Sequence, residues 1–191
     1  MKETKSDLFN NAKMLFSQKG FKETSVAIIT KMTGVGVGTF YNFFASKEEL
    51  FIEIFVQENI TLKKEIMQSV DLNGDLTDVL KQVASRLFTG MKENPILKEW
   101  YNRDIFYKIL EKVDEQVIEK SSQEFFYHFF LDIIEEWQCE GKIRKDIDSE
   151  HILAVFNALS FIDLHREDIG SQYFPKTMDY LIEFIVKGLQ E

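Results

Sequence analysis

The side chains best suited to moving protons or holding a metal are His128, His151 and His165, and their spacing supports neither role. No two stand four apart on a helix face and no cysteine neighbours any of them, so no histidine-based metal site is expected. Cys139, the only cysteine, lies between Gln138 and Glu140 without the electropositive surroundings that activate a thiol. The sequence has no GxSxG elbow, no phosphate loop and no HExxH pair. Its acidic residues are spread as solvated helix faces rather than set in pairs. The chain is therefore expected not to be an enzyme, and to need no cofactor and no metal.

Two other groupings have the chemistry of binding. One is the glycine-punctuated stretch Thr33-Gly34-Val35-Gly36-Val37-Gly38, followed by Thr39-Phe40-Tyr41-Asn42-Phe43-Phe44. Its glycines are spaced GxGxG, not GxGxxG, and no strand precedes them, which argues against a dinucleotide loop. Two short helices joined by such a turn make a helix-turn-helix, whose second helix fits a major groove about 12 Å wide. Gly34 falls where the turn needs relaxed backbone geometry, Gly36 can cap the second helix, and Gly38 lets a phosphate approach the backbone closely. On these residues alone an ordinary helical hairpin with a glycine loop is an equal alternative.

The other grouping is the run Phe125-Phe126-Tyr127-His128-Phe129-Phe130. Wound at about 100° per residue, it puts Phe126, Phe130, Ile133 and Trp137 on one stripe, with Phe125 and Phe129 beside it. Tyr127, His128, Asp132 and Glu135 fall opposite. The apolar arc is about 140° wide, broader than the roughly 100° of a single packed face. Core packing alone is one reading of it, and a helix facing both a core and a cavity is the other. Phe88, Met91, Trp100, Tyr101, Arg103, Phe106 and Tyr107 complete a wall suited to a lipophilic or planar small molecule. Arg103 or Arg86 is available to an anionic group.

The elements that must hold these groups are helical almost throughout. Leu8, Ala12, Leu15 and Phe16 share one face of a first helix that Gly20 should end. Thr24 or Ser25 caps a second, with Val26 and Ile29 on its inner face. Phe16, Val26, Ile29, Phe40 and Phe44 form the expected small core behind the glycine stretch. Ser46-Lys47-Glu48-Glu49 reads as a capping box that opens a helix over about residues 47–70. Further helices are expected near 75–92, 96–112, 114–140, 149–166 and 173–189, separated at Asn73-Gly74, Asn94-Pro95, Gly141 and Gly170-Ser171. No run alternates cleanly enough for a strand, so the fold class is all-α.

Composition agrees with that reading. A chain of 191 residues with 45% apolar side chains has ample material for a core. Pro95 and Pro175 are the only prolines, and nine glycines are too few for a sandwich or barrel of many tight turns. One cysteine excludes a disulfide framework and points to a reducing compartment. No segment is apolar enough to span a bilayer and MKETKSDLFNNAK is not a secretory leader, so a soluble, cytoplasmic protein without membrane association is expected. Eighteen phenylalanines are a large excess that calls for a structural explanation. The net charge of −9 points, taken whole, away from nucleic acid. It is unevenly held. Residues 1–47 carry seven lysines against Glu3, Asp7 and Glu23, a net +4, and the remainder holds −13.

Taken together, Leu15-Phe16, Gly20-Phe21, Thr24-Ser25, Ile29, Thr33-Gly34-Val35, Gly38-Thr39-Phe40-Tyr41, Phe44 and Ser46-Lys47-Glu48-Glu49-Leu50 resemble the N-terminal signature of tetracycline-repressor-type (TetR family) regulators. The resemblance covers about residues 5–52, and beyond it only length and helical layout agree. It implies a three-helix helix-turn-helix domain over 1–47 and a larger helical-bundle domain for effector binding and dimerisation over 48–191. Such a protein is a homodimer whose two heads read a palindromic operator in double-stranded DNA, and it is most often a repressor released by a small-molecule effector. The resemblance places the dimer interface on the last two helices. Ile152, Val155, Phe156, Leu159 and Ile162 stripe one of them, and Met178, Leu181, Ile182, Ile185 and Leu189 the other; on spacing alone, intrachain core is an equal reading of both stripes.

By the same resemblance, Thr24 and Ser25 look like phosphate contacts at the start of the second helix. Gly36, Val37, Gly38 and Thr39 open the recognition helix toward base edges. Tyr41 is similar to the family's phosphate-binding tyrosine, Asn42 follows it, and Lys47 matches a lysine that meets the DNA backbone. The departures are informative, since polar or basic residues often stand in the family where this chain has Gly36 and Val37. With no lysine or arginine on the recognition helix, arginine-to-guanine readout is unavailable to it. Val37 and the Thr39 methyl are left to pack on thymine methyls and Thr39 or Asn42 to bond a base, so an A/T-rich half-site is expected. Lys2, Lys5, Lys22 and Lys47 would supply the sequence-independent attraction. For the effector, the ring-lined wall of Phe88, Met91, Trp100, Arg103, Tyr107, Phe125, Phe126, Phe129, Phe130 and Trp137 is the expected site. The alternative, motivated by the bare Gly36-Val37 start, is a helical carrier of lipophilic molecules that has lost specific DNA binding.

Overall fold

A computed structural model describes residues 2–71, 74–112, 124–174 and 176–190, and among them all regular structure is helical. In chain order the helices are α1 (Lys2–Glu23), α2 (Val26–Thr33), α3 (Val37–Tyr41), α4 (Lys47–Ser69), α5 (Leu76–Glu93) and α6 (Arg103–Leu110). They continue with α7 (Glu124–Cys139), α8 (Ser149–Leu164), α9 (Arg166–Ile169) and α10 (Lys176–Gln190). Short 3-10 turns lie at Leu97–Tyr101 and Ser171–Tyr173. The all-α expectation holds. The helix expected over 114–140 is described from Glu124 onward, and its first residues lie outside the described ones.

The chain divides into two compact units, Met1–Lys63 with Thr89–Ser122, and Lys64–Phe88 with Gln123–Glu191. In the first, Leu8, Ala12, Leu15 and Phe16 are buried along one face of α1, as their spacing requires. Gly20 interrupts α1 with φ 78° and ψ 173°, a conformation that an L side chain adopts only with strain. Part of the phenylalanine excess is explained here. The Phe51 ring meets Phe16 and Phe21 edge-on at 5.1 and 5.0 Å, while Phe40 and Phe44 lie 5.6 Å apart. Such rings fill a small core and add edge-to-face attraction. The expected mini-core holds at Phe16, Ile29, Phe40 and Phe44, whereas Val26 is only half-buried.

Polar groups fix the joints of this unit. Asn94 Nδ2 donates to Glu58 at 2.9 Å, and its Oδ1 accepts from the amides of Ile96 and Leu97, closing the turn at Pro95. Where α4 passes α5, a Cβ added to Gly90 would run into the Leu62 side chain, which would have to shift.

The second unit has its own core. Leu76, Ile133, Ile134, Trp137, Ile143, Ile152, Leu153, Leu159, Met178, Ile182, Val186 and Leu189 are all buried in it. The loop between α7 and α8 is held by Gln138 Nε2, which donates to the carbonyls of Arg144 and Ile147. Arg144 in turn donates its backbone amide to Leu189 O and its guanidinium to Gly188 O, satisfying carbonyls that the last turn of α10 leaves open. Asp148 caps α8 by accepting from the His151 amide at 3.0 Å.

Candidate nucleic-acid interface

The helix-turn-helix is built from local chemistry. Ser25 is the N-cap of α2, its Oγ accepting from the Ile28 amide at 3.3 Å. Gly34 ends α2 in the left-handed region at φ 74°, its amide bonding back to Lys31 and Thr30, as a glycine C-cap does. Gly36 is the N-cap of α3 in extended geometry and makes no side-chain bond there. Asn11 Nδ2 donates to Thr33 Oγ1 at 3.1 Å and so ties α1 to the end of α2.

On this frame Ser25, Gly36, Val37, Gly38, Tyr41 and Asn42 are exposed, and Thr39 is half-buried. Val37 is 47% and Tyr41 56% exposed, high values for large side chains in a packed domain. The Tyr41 ring stands edge-on to buried Phe40 at 5.3 Å, which orients its phenol. Two outward apolar residues escaped the sequence reading, Ile28 and Met32, one turn apart on the outer face of α2. Their i, i+4 spacing was the available signal.

Thr24 and Lys47 are placed differently. Thr24 is buried, and its Oγ1 donates to Gly20 O at 2.9 Å. Lys47, the first residue of α4, turns its ammonium inward. Nζ donates at 2.8 Å to both Phe21 O and Thr24 O and lies 3.9 Å from the Phe21 ring centroid. Burial lowers its pKa below the usual lysine value, with Lys112 adding to the shift and Glu48 opposing it. Ser46 and Glu49 close the capping box beside it. Ser46 Oγ accepts from the Glu49 amide at 3.0 Å, and Glu49 Oε2 accepts from the Ala45 amide one residue earlier than the motif prescribes.

Two other lysines of residues 1–47 hold acidic partners on the surface of the protein. Lys5 pairs with Glu53 at 3.3 Å and lies over the Phe44 ring, and Lys13 pairs with Glu58 at 2.5 Å. Lys19, Lys22 and Lys31 are exposed. The Lys2 side chain lies outside the described residues.

The effector-wall residues fall into both units. Phe88 and Phe130, half-buried, pack against the core that holds Trp137. Met91, Trp100, Arg103 and Tyr107 belong to the first unit. There Met91 is buried with its sulfur accepting from Asn59, and Trp100 stacks on Phe55 at 6.5 Å. Arg103 opens α6, and Tyr107 is 44% exposed on it. Phe125, Phe126 and Phe129 lie on the first turns of α7, and their side chains are outside the described ones.

A family model for bacterial regulatory proteins of the tetR family matches residues 8–54, a span that runs from the α1 core face to the start of α4. The head over residues 8–54 is thus similar to tetR-type DNA-binding segments. The chain is 48% identical over 56 residues to the uncharacterized HTH-type transcriptional regulator YhgD of Bacillus subtilis, covering 29% of this chain and 27% of that one. Over 82 residues it is 34% identical to the HTH-type transcriptional regulator AcrR of Shigella flexneri, covering 42% and 38%. The matches thus span well under half of these curated relatives. The fold likeness extends much further. The solved structure of Thermus thermophilus FadR, a TetR-family repressor in complex with lauroyl-CoA, superposes with a TM-score of 0.67 at 20% identity, covering 95% of this chain and 91% of that one. Over the whole chain this likeness is one of fold, at low sequence identity. Among the described residues no helix is long and apolar enough to cross a membrane.

Proposed function

We propose that this chain is a ligand-responsive transcriptional regulator, a repressor rather than an enzyme, that binds a palindromic operator as a homodimer and is released by a small lipophilic or aromatic effector. The observation that carries the reading is the tetR-type head itself. Its match over residues 8–54 coincides with a capped α2, a glycine turn and an α3 whose Val37, Tyr41 and Asn42 are exposed. Residues 1–47 are the reading head and 48–191 the effector and dimerisation body. Ser25, Gly36, Val37, Gly38, Thr39, Tyr41 and Asn42 face DNA, while Thr24 and Lys47 serve the interface from behind by fixing the backbone that leads into α2.

The dimer forms through α8 and α10. Ile152, Leu159, Met178, Ile182 and Leu189 belong to the core of their own unit, so the exposed apolar side chains offered to a second copy are Val155 on α8 and Tyr180 and Phe184 on α10. A two-fold pairing of these faces would present two heads to a palindrome. The acyl chain bound by Thermus FadR, together with Phe88 and Phe130 beside Trp137, supports an effector with a long apolar portion. To release DNA, that effector must bind the non-DNA-binding arrangement more tightly than the other.

The test is a fluorescence-anisotropy titration of the full chain with labelled duplexes drawn from its own promoter region and with scrambled controls. Sequence-dependent binding that weakens as salt rises is the expected result. Complete absence of sequence preference would overturn the reading and favour a carrier of lipophilic molecules.

A further inference from the structure

We propose that the head identifies its half-site through the 5-methyl groups of thymine, packed on Val37 at a depth that the bare backbone of Gly36 and Gly38 permits; this rests on the DNA-binding reading above. Three glycines that look alike in the sequence differ in the structure. Gly34 has φ 74°, so the turn itself requires glycine. Neither Gly36 nor Gly38 has a positive φ, and a Cβ built on either meets nothing within 4 Å. The fold has no need for glycine at those two places. At 38, inside α3, glycine is the poorer choice for the helix, because it orders more backbone freedom and contributes no side chain. What the missing side chains leave is room for an outside surface to reach the backbone.

Between the two bare positions stands Val37, 47% exposed. A branched apolar side chain held in water gains by covering apolar surface and can make no hydrogen bond. Residues 33–46 contain no lysine or arginine, so α3 has no cation with which to read guanine. Among the groups that base pairs present in the major groove, the thymine 5-methyl is the apolar one. An isolated apolar knob flanked by open backbone is the complement of that methyl. At a cytosine or guanine the same knob would cover polar edges and leave them without partners.

The experiment uses the full chain and a duplex selected by it from a pool with randomised half-sites. Each thymine of the selected duplex is replaced in turn by deoxyuridine, which removes the methyl and nothing else. One or two positions per half-site should each lose about fourfold in affinity, the effect of one buried methyl-sized group. The same replacements should cost nothing in the Val37→Ala variant. Gly38→Ala should melt at a higher temperature than the parent yet bind the selected duplex at least tenfold more weakly. Deoxyuridine tolerated at every position, or an equal loss in Val37→Ala, overturns methyl readout while leaving DNA binding intact. Undiminished binding by Gly38→Ala overturns the close approach. A pool that yields no preferred sequence overturns the DNA-binding reading and the methyl readout together.

Discussion

Lys47 Nζ lies 2.8 Å from the carbonyl oxygen of Thr24 and the same distance from that of Phe21, so one ammonium fastens the start of α4 to the backbone leading into α2. The two carbonyls lie in the stretch between the Gly20 interruption and the Ser25 cap. They are therefore acceptors that helical hydrogen bonding leaves open, and the lysine supplies their donor. The Phe21 ring closes the other side of the ammonium.

Replacing Lys47 by Met keeps most of the stem and removes both bonds. A hydrogen bond from a charged donor contributes roughly 1.5–3 kcal/mol when buried, and this site is only part-buried, so we expect a loss of about 2 kcal/mol for the pair. In a chain of this size that lowers Tm by roughly 5 °C, measurable by calorimetry. The slope of log affinity for the selected duplex against log salt should stay within half a unit of the parent. A slope reduced by about one unit would mean that the ammonium serves a phosphate instead.

Next to this clasp, Glu48 accepts from Lys112 at 3.0 Å. Burial pushes the Glu48 carboxyl up, but the bond from Lys112 and the charges of Lys112 and Lys47 outweigh it, so the net pKa lies below the ordinary value of 4.5. A carboxyl lowered by folding adds stability above its unfolded pKa, and that stability is lost as pH falls through the folded value. The urea midpoint of the parent should therefore exceed that of Glu48→Gln at neutral pH. The gap should close as pH drops from about 5 toward 3. A gap independent of pH would refute the assignment.

On the outer face of α10, Phe184 is 64% exposed and stacks on Tyr180 at 6.3 Å. Phe184→Glu leaves the core of its unit untouched, so the variant should keep its helical circular dichroism and its Tm measured as a monomer. Sedimentation should show the parent as a dimer and the variant as a monomer. Ile182→Glu, two residues away but 1% exposed, should instead unfold the body, since it would bury an unpaired charge. A Phe184→Glu protein that still sediments as a dimer would move the interface elsewhere.

The parts of this fold legible in the sequence are those set by chemistry within a few residues. Gly20, Gly34, Gly36 and the Ser46–Glu49 box mark helix ends because each solves a local problem of open amides, open carbonyls or positive φ. The inward turn of Lys47 was not legible, since its acceptors are backbone carbonyls 26 and 23 residues away, which no side-chain pattern encodes. Thr24 was ambiguous for a related reason. A hydroxyl beside a helix start can face solvent or bond backward, and here it reaches Gly20 O. The stripes on α8 and α10 were ambiguous in another way. The stripe on α8 joins Ile152 and Leu159, which are buried in their own unit, with Val155, which is exposed, and periodicity does not say which of them the unit keeps for itself. That the residues expected to form one wall fall in different units is likewise invisible to a helical wheel, which treats one helix at a time.

The partnered lysines bear on how such a head would search a chromosome. Of the seven lysines in residues 1–47, Lys5, Lys13 and Lys47 hold partners within the protein, so the nominal +4 overstates the field offered to a polyanion. Fewer counterions are then released when the head meets arbitrary DNA, and its residence on any random stretch is correspondingly brief. Sliding is shortened and hopping favoured. What such a head gives up in general grip it gains in contrast, because the ratio of specific to non-specific binding, rather than affinity alone, decides where on a genome a regulator is found.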